Sequence, residues 1–393
     1  MQVRVMDIRG LVLINSEAEP ETEPNRFGGV PLGLLDVAGK SALMRTAERL
    51  RTFGVGPVTA VIEDFSSVPA RGIAPGEPGL TSTFTSRDRF WRTAENAFNE
   101  LVQTGAEIVI LIKIGAYQEM DFEKFVQLHL DNNSRVSQLS YEGQPLEVFC
   151  ISASRRNDAA SLFRTRLSKC RVDCPLVELD GYFNPLRNAG DLRDFAIDIL
   201  SLRTETCPSG IQMKPGVWVA PGAHIEKGAR VIAPAFIGSG ARIRSGSVIT
   251  RCTSVERHAQ VDCGTVVENS SLLANCYLGA GLDLAHSVAG MGIIANLRRG
   301  ATALISDYKL IRSTSQAVTP NFLSSARELV SFLPRQLWRG MFGSRVQQPD
   351  LNVTLHQTSP ALGKAAGYEA PACNTGAADE FPNLVAVRTH GNQ

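Results

Sequence analysis

At 393 residues, with 44% hydrophobic residues and a formal net charge of +1, the chain is long enough for two domains with cores of their own. A charge balance this close to zero excludes general electrostatic affinity for nucleic acid or anionic lipid. Met1–Gly10 has no apolar h-region and no run of about 18 apolar residues occurs, so neither a secretion signal nor a membrane-spanning helix is expected, and a cytoplasmic location is.

The eight cysteines (Cys150, Cys170, Cys174, Cys207, Cys252, Cys263, Cys276 and Cys373) are scattered, without the paired spacing of a zinc site. They read as buried free thiols.

In chain order, Arg9–Asn15 (RGLVLIN) reads as a buried strand, followed by an acidic, proline-containing loop (EAEPETEPNRFGG). Pro31–Lys40 leads into a helix over Ser41–Phe53, with Leu43, Ala47 and Leu50 on one face and Ser41 placed as its N-cap. Val58–Ile62 reads as a second strand. This βαβ unit predicts a parallel, doubly wound sheet.

After a Pro/Gly-rich connector over Pro69–Gly79, Asp88–Thr104 is a helix and Ile108–Ile114 (IVILIKI) a central strand. Asp121–Asn132 is a further helix, Val148–Ser152 a strand, Asn157–Leu167 a short helix, and Gly190–Leu202 an amphipathic helix capped at Asp191.

From Met213 the chain changes period. Val219, Ile225, Val231, Ile237, Ile243, Ile249, Val255, Val261, Val267 and Leu273 follow at steps of six, making eleven apolar positions in a row. Chance gives such a run about once in ten thousand tries. Small residues recur two positions before each apolar one (Ala223, Ala229, Ala235, Ala241, Ser247, Thr253, Ala259), and turn glycines stand at Gly216, Gly222, Gly228, Gly240, Gly246 and Gly264. A period of six marks a β-solenoid: one aliphatic residue points inward, a turn follows, and three units close an eighteen-residue coil. After Leu273 the register slips by one to Leu278 and Leu284.

Pro320–Met341 carries Phe322, Ala326, Leu329, Leu333, Leu337 and Met341 at helical spacing, interrupted by Pro334. Two readings stand for it: a helix packed back on the solenoid, favoured by Arg327, Arg335 and Arg339, or an amphipathic segment at a membrane or partner. From Ser344 the composition is polar and aperiodic, which predicts a disordered tail.

The order of these parts resembles that of sugar-1-phosphate nucleotidyltransferases with a hexapeptide-repeat C-terminal domain, among them mannose-1-phosphate guanylyltransferase-like enzymes. RGLVLIN, PLGLLDVAGKSALMRTAERLRTFGV, VILIKIGAYQEMDFEKFVQLH and the repeats carry the resemblance. It implies an α/β, Rossmann-like nucleotidyltransferase domain over residues 1–205 and a left-handed parallel β-helix over 206–305; spacing and composition add a helical extension (306–343) and the tail (344–393). Such enzymes join a sugar phosphate to a nucleoside triphosphate with release of pyrophosphate, using cations and backbone amides around the phosphates and carboxylates on Mg2+.

Position by position, the groups that this resemblance requires are missing. The phosphate loop holds Glu17, Glu19, Glu21 and Glu23, with Gly28 and Gly29 only after them. Leu32 stands where the family has a phosphate-contacting lysine, and Gly33 replaces a proline. Arg92 and Glu95 fill glycine positions of a substrate turn, and Ala116 stands at the metal-ligating aspartate, while Asp121 and His129 match framework positions. A catalytically degenerate relative is therefore expected, regulatory or scaffolding in sugar-nucleotide or polysaccharide metabolism. No cofactor is expected.

Its partners would be another copy, a related nucleotidyltransferase subunit, or a bound sugar phosphate or nucleotide-sugar. The alternative is an active nucleotidyltransferase with substitute residues, for which Arg26, Lys113 and Asp121 are the candidates, Mg2+ entering only then. Lys40 is a further cation near that stretch, and Glu119 a further carboxylate. A third reading, hexapeptide acyltransferase, needs a histidine base from His224, His258 or His286.

Overall fold

The computed structural model describes residues 6–15, 26–64, 79–153, 163 and 174–314. The helix expected over 157–167, the segment 320–341 and the tail lie outside them, Phe163 apart.

Within them the N-terminal part is a mixed seven-stranded sheet. Its strands are β1 (Ile8–Ile14), β2 (Val58–Glu63), β3 (Leu80–Thr85), β4 (Ile108–Lys113), β5 (Val136–Tyr141), β6 (Gln144–Ser152) and β7 (Leu176–Glu178), in the order β7-β5-β6-β4-β1-β2-β3. β1 pairs in parallel with both β2 and β4, and β3 extends the parallel set beyond β2. The sheet departs from the all-parallel expectation at β6, which runs antiparallel to β4 and β5. The cause is local: Glu142 and Gly143, both with positive φ, close a two-residue hairpin that returns the chain beside β5.

Helices α1 (Ala42–Thr52) and α2 (Phe90–Gln103) cover opposite faces. Alternate residues of the central strands (Leu11, Leu13, Val109, Leu111) pack against Phe90, Ala94, Phe98 and Leu101 of α2, as the pleat requires. On the other face Gly10 lies under Leu50 of α1, where an added Cβ would stand 3.1 Å from its Cδ1. Ser41 caps α1 as expected, accepting the Met44 N–H, and Asp121 caps α3 (Phe122–Asp131) by accepting that of Lys124. For α4 (Ala189–Leu200) the cap is Asn188, not Asp191, whose carboxylate instead accepts from Arg187.

The C-terminal part is a stack of parallel two- to four-residue strands in three ladders, compatible with a β-helix. Val217, Ala235 and Thr253 are register partners eighteen residues apart, as are His224, Arg242 and Gln260, and Arg230 and Val248. Ile237, Ile243, Ile249, Val255, Val261 and Val267 line a closed core, as expected. Two positions depart from the six-residue ruler. Met213 lies on an antiparallel strand (Ile211–Lys214) outside the coils and is exposed. The third coil is one residue short, so Val255 pairs with Leu272, and Leu272 rather than Leu273 points inward. Leu273 packs outside that core, its Cβ 2.7 Å from where a Cβ on Gly290 would stand.

Corner residues follow the same spacing. Gly222, Gly240, His258 and Asn275 form one column of left-handed φ, and Gly228, Gly246, Gly264 and Gly281 another. Of the cysteines, Cys150, Cys174, Cys252, Cys263 and Cys276 are free thiols, but Cys263 is exposed and Cys207 is disulfide-bonded, so the expectation of buried free thiols throughout does not hold. No helix among the described residues is long and apolar enough to cross a membrane.

Candidate functional site

In an open α/β sheet, ligands bind outside the carboxyl ends of the parallel strands. Here that edge is formed by the ends of β1, β2 and β4, with Val30–Leu34 beside them. Gly33 sits against Ile114: a Cβ there would stand 2.5 Å from the Ile114 Cγ2, which excludes proline or any side chain. The flanking Leu32 and Leu34 are both buried. At the position where a phosphate-contacting lysine was sought, the structure has a buried leucine.

The candidate polar residues do not converge on a common ligand position. Lys113, at the end of β4, is buried and ion-paired with Glu147 of β6 at 3.0 Å, its ammonium 6.0 Å from the centre of the Trp91 ring. Asp121 is exposed and spends one carboxylate oxygen on the α3 cap. Arg26 is half-buried on the short strand Arg26–Phe27, paired with Val30–Pro31, and has an interaction of its own. Lys40 faces Glu48 of α1 in an ion pair.

Ala116 lies in the turn after β4. Glu119, the nearby carboxylate, is fully buried and saturated: it accepts from the Tyr117 hydroxyl (3.0 Å), the Glu205 and Thr206 amides (2.6 and 3.2 Å) and the Thr206 hydroxyl (2.8 Å). Burial and that carboxylate push the Tyr117 hydroxyl pKa up, so it is held as a donor. These residues do not fit a Mg2+ site. Arg92 and Glu95 are internal to α2, so the stretch aligned with a glycine-rich turn is plain helix. His129 is a core residue, its ring nitrogens bonded to Ser137 Oγ (2.8 Å) and Ser152 Oγ (3.0 Å), and burial lowers its pKa.

The solenoid histidines are corner and surface residues. His224 and His258 are exposed, the latter in the left-handed turn conformation where a glycine would stand. His286, also left-handed, makes a 2.7 Å contact between its Nδ1 and the Asn269 amide nitrogen, which fixes Nδ1 as the acceptor.

A second polar assembly, invisible to spacing arguments, joins the sheet domain to the solenoid wall. The fully buried Glu256 carboxylate accepts the backbone N–H of Ala38 (2.8 Å) and of Gly39 (2.9 Å). Beside it Asp36 pairs with Arg257 at 2.7 Å. Arg45 of α1, also fully buried, donates to the carbonyls of Val37 (2.8 Å) and Cys207 (3.2 Å). Desolvation raises the Glu256 pKa to about 7, with the neighbouring Asp36 charge adding to it, and desolvation raises that of Asp36 too.

Lower on the wall, Arg193 of α4 reaches the Cys252 carbonyl (2.6 Å), Asn269 Oδ1 (2.9 Å) and Ser271 Oγ (3.1 Å). Trp218 and Phe236, outward on that wall, are buried between the two parts, and Gly39 fits over the Phe236 ring with φ +93°. Comparison with protein-family models finds no match to the chain, and comparison with curated proteins finds none.

Proposed function

We propose that this chain is a sugar-1-phosphate nucleotidyltransferase-like protein that has lost turnover and serves as a regulatory or scaffolding subunit in sugar-nucleotide or polysaccharide metabolism. On this reading the sheet domain is a Rossmann-like nucleotidyltransferase domain and the coils are a left-handed β-helix. The observation that carries it is Leu32, buried beside the Gly33–Ile114 contact at the mouth of the parallel strands. A triphosphate carries several negative charges into a site, and its binding requires cations or free N–H groups there. Lys113 at the end of β4 is paired with Glu147 and Lys40 with Glu48, while Asp121 and Glu119 are committed to a helix cap and to a buried network. A sugar phosphate or nucleotide-sugar remains a fitting ligand, because binding one asks less of the site than stabilising a transition state does.

The test is a thermal-shift panel of nucleoside triphosphates and sugar-1-phosphates, each with and without Mg2+. A ligand at a hundred times its Kd stabilises by about 2.7 kcal/mol, which for a unit of this size is roughly 5 °C. Stabilisation by a sugar phosphate or nucleotide-sugar without turnover supports a sensing subunit. Mg2+-dependent stabilisation by a triphosphate, followed by pyrophosphate release, sinks the proposal.

A further inference from the structure

The two ends of the solenoid are finished differently. At the C-terminal end, antiparallel strands close two of the three walls: Ile293–Asn296 and Ala301–Leu304 on one, and Ile311–Ser313 on another. At the N-terminal end, among the described residues, one wall alone carries such a strand, Ile211–Lys214. The other two walls begin at His224–Ile225 and Arg230–Val231, which are terminal in their ladders, with one backbone edge unpaired among the described residues.

The inward residues there show the consequence. Ile225, whose register partners Ile243 and Val261 are fully buried, is 38% exposed, and Val231, whose partner Ile249 is fully buried, is half-buried. Around this opening Lys214, Lys227, Arg230 and Arg242 are exposed, while the local carboxylate Glu226 is ion-paired to Arg244. Stacked repeats need their terminal coils capped, because an open coil presents both apolar core and unpaired strand edge.

We propose that the stretch Asp379–Val387 of this same chain caps the open coil, adding as a strand along the free edge at Ile225 or Val231. Its sequence, DEFPNLVAV, places two carboxylates ahead of Phe381, Leu384, Val385 and Val387. Asp379 and Glu380 complement the basic rim, and the residues after Pro382 all have the N–H that strand addition requires. The charge sign selects this stretch: Phe322–Met341, also apolar, carries Arg327, Arg335 and Arg339 and would be repelled. A second copy docked with the two N-terminal ends together would bring two basic rims into contact.

Reach is ample. Thr314 is tied to the fourth coil by its N–H bond to the Asn275 carbonyl, about 14 Å from the first coil at strand spacing. About 65 residues separate Thr314 from Asp379, and at up to ~3.3 Å per residue that length far exceeds the distance to be crossed.

The experiment measures hydrogen exchange at the Ile225 and Val231 amides in the full chain, in a chain ending at Asn374, and in a full chain carrying Asp379→Lys with Glu380→Lys. Both altered chains are expected to exchange about tenfold faster at one or both amides, and a peptide of residues 377–389 should restore protection to the shortened chain. Adding Lys227→Glu with Arg230→Glu to the charge-reversed chain should restore it as well. Equal exchange in full and shortened chains overturns the proposal, as does protection that rises with protein concentration alongside a dimer in sedimentation, which would make a second copy the cap.

Discussion

Glu256 makes the joint between sheet domain and solenoid sensitive to pH in a calculable way. The folded protein holds its proton up to about pH 7, whereas the unfolded carboxyl releases it near the ordinary 4.5. Its stabilisation is therefore fully present below about pH 4.5 and is lost as pH rises to about 7, beyond which nothing more is lost. At 1.36 kcal/mol per pH unit, the loss is about 3 kcal/mol, or roughly 6 °C in a cooperative unit of this size.

Glu256→Gln isolates the effect. The amide has nearly the same shape, keeps one acceptor for the Ala38 or Gly39 N–H, and does not titrate. Its NH2 faces the second N–H, a constant cost of about 1–3 kcal/mol. Over the range from pH 5 to 8 wild type should therefore lead the variant by the largest margin at pH 5, and the margin should shrink by about 2.5 kcal/mol by pH 8. Urea midpoints of both proteins at half-unit steps measure it, and differencing removes common contributions from groups such as His129. A margin that stays constant from pH 5 to 8 refutes the reasoning: the two N–H donors and the nearby Arg45 and Arg257 charges would then outweigh desolvation and hold the carboxylate ionised.

Other perturbations probe the same joint and the coils. Gly39→Ala places a Cβ 2.7 Å from Ser209 and 2.8 Å from the Phe236 ring at a φ that alanine resists; a loss of about 2–4 kcal/mol is expected in urea midpoints. Arg193→Lys removes a fork that reaches three acceptors on two coils and should cost about 2–3 kcal/mol, because one ammonium cannot span them. His258→Gly should be neutral or stabilising by up to about 1 kcal/mol, since glycine adopts the left-handed corner without strain; a large loss in calorimetry would show that the ring contributes more than it costs.

Much of the fold was legible because its signals are local and repetitive. The βαβ start, the caps at Ser41 and Asp121 and the inward file from Ile237 to Val267 each follow from spacing that packing then reinforces. Met213 and Leu273 were misplaced for one reason. A six-residue ruler cannot see an antiparallel strand at the start of the array, nor one residue omitted from a coil, because the apolar pair Leu272–Leu273 satisfies either register. The reversal of β6 was present in the sequence as Glu142–Gly143 between two alternating stretches, a two-residue hairpin signal that went unused.

The site was legible mainly by subtraction. Leu32 and Ala116 could be seen to lack the needed chemistry, but the fates of Lys113, Glu119 and Asp121 depended on partners such as Glu147 and Thr206 that no local pattern connects. The joint is the extreme case. Glu256 lies 218 residues from the Ala38 amide it accepts, and no local pattern marks Asp36, Arg45 or Arg193 as buried.

The buried groups at the joint also bear on what the fold has conserved energy for. Removing one member of a buried charged network costs several kcal/mol, while replacing the whole set by apolar residues often costs nothing. A joint needed only for adhesion could have been built from more residues like Trp218 and Phe236, which already lie in it. The polar set adds geometric specification: two N–H groups of the Val37–Lys40 turn meet one carboxylate, and Arg45 locks the same turn from the other side. That turn continues from the Val30–Leu34 segment at the mouth of the strands, so the solenoid wall and the crevice are held by one stretch of backbone. That continuity is a physical route by which a change at either one could be felt at the other, which the proposed regulatory reading requires.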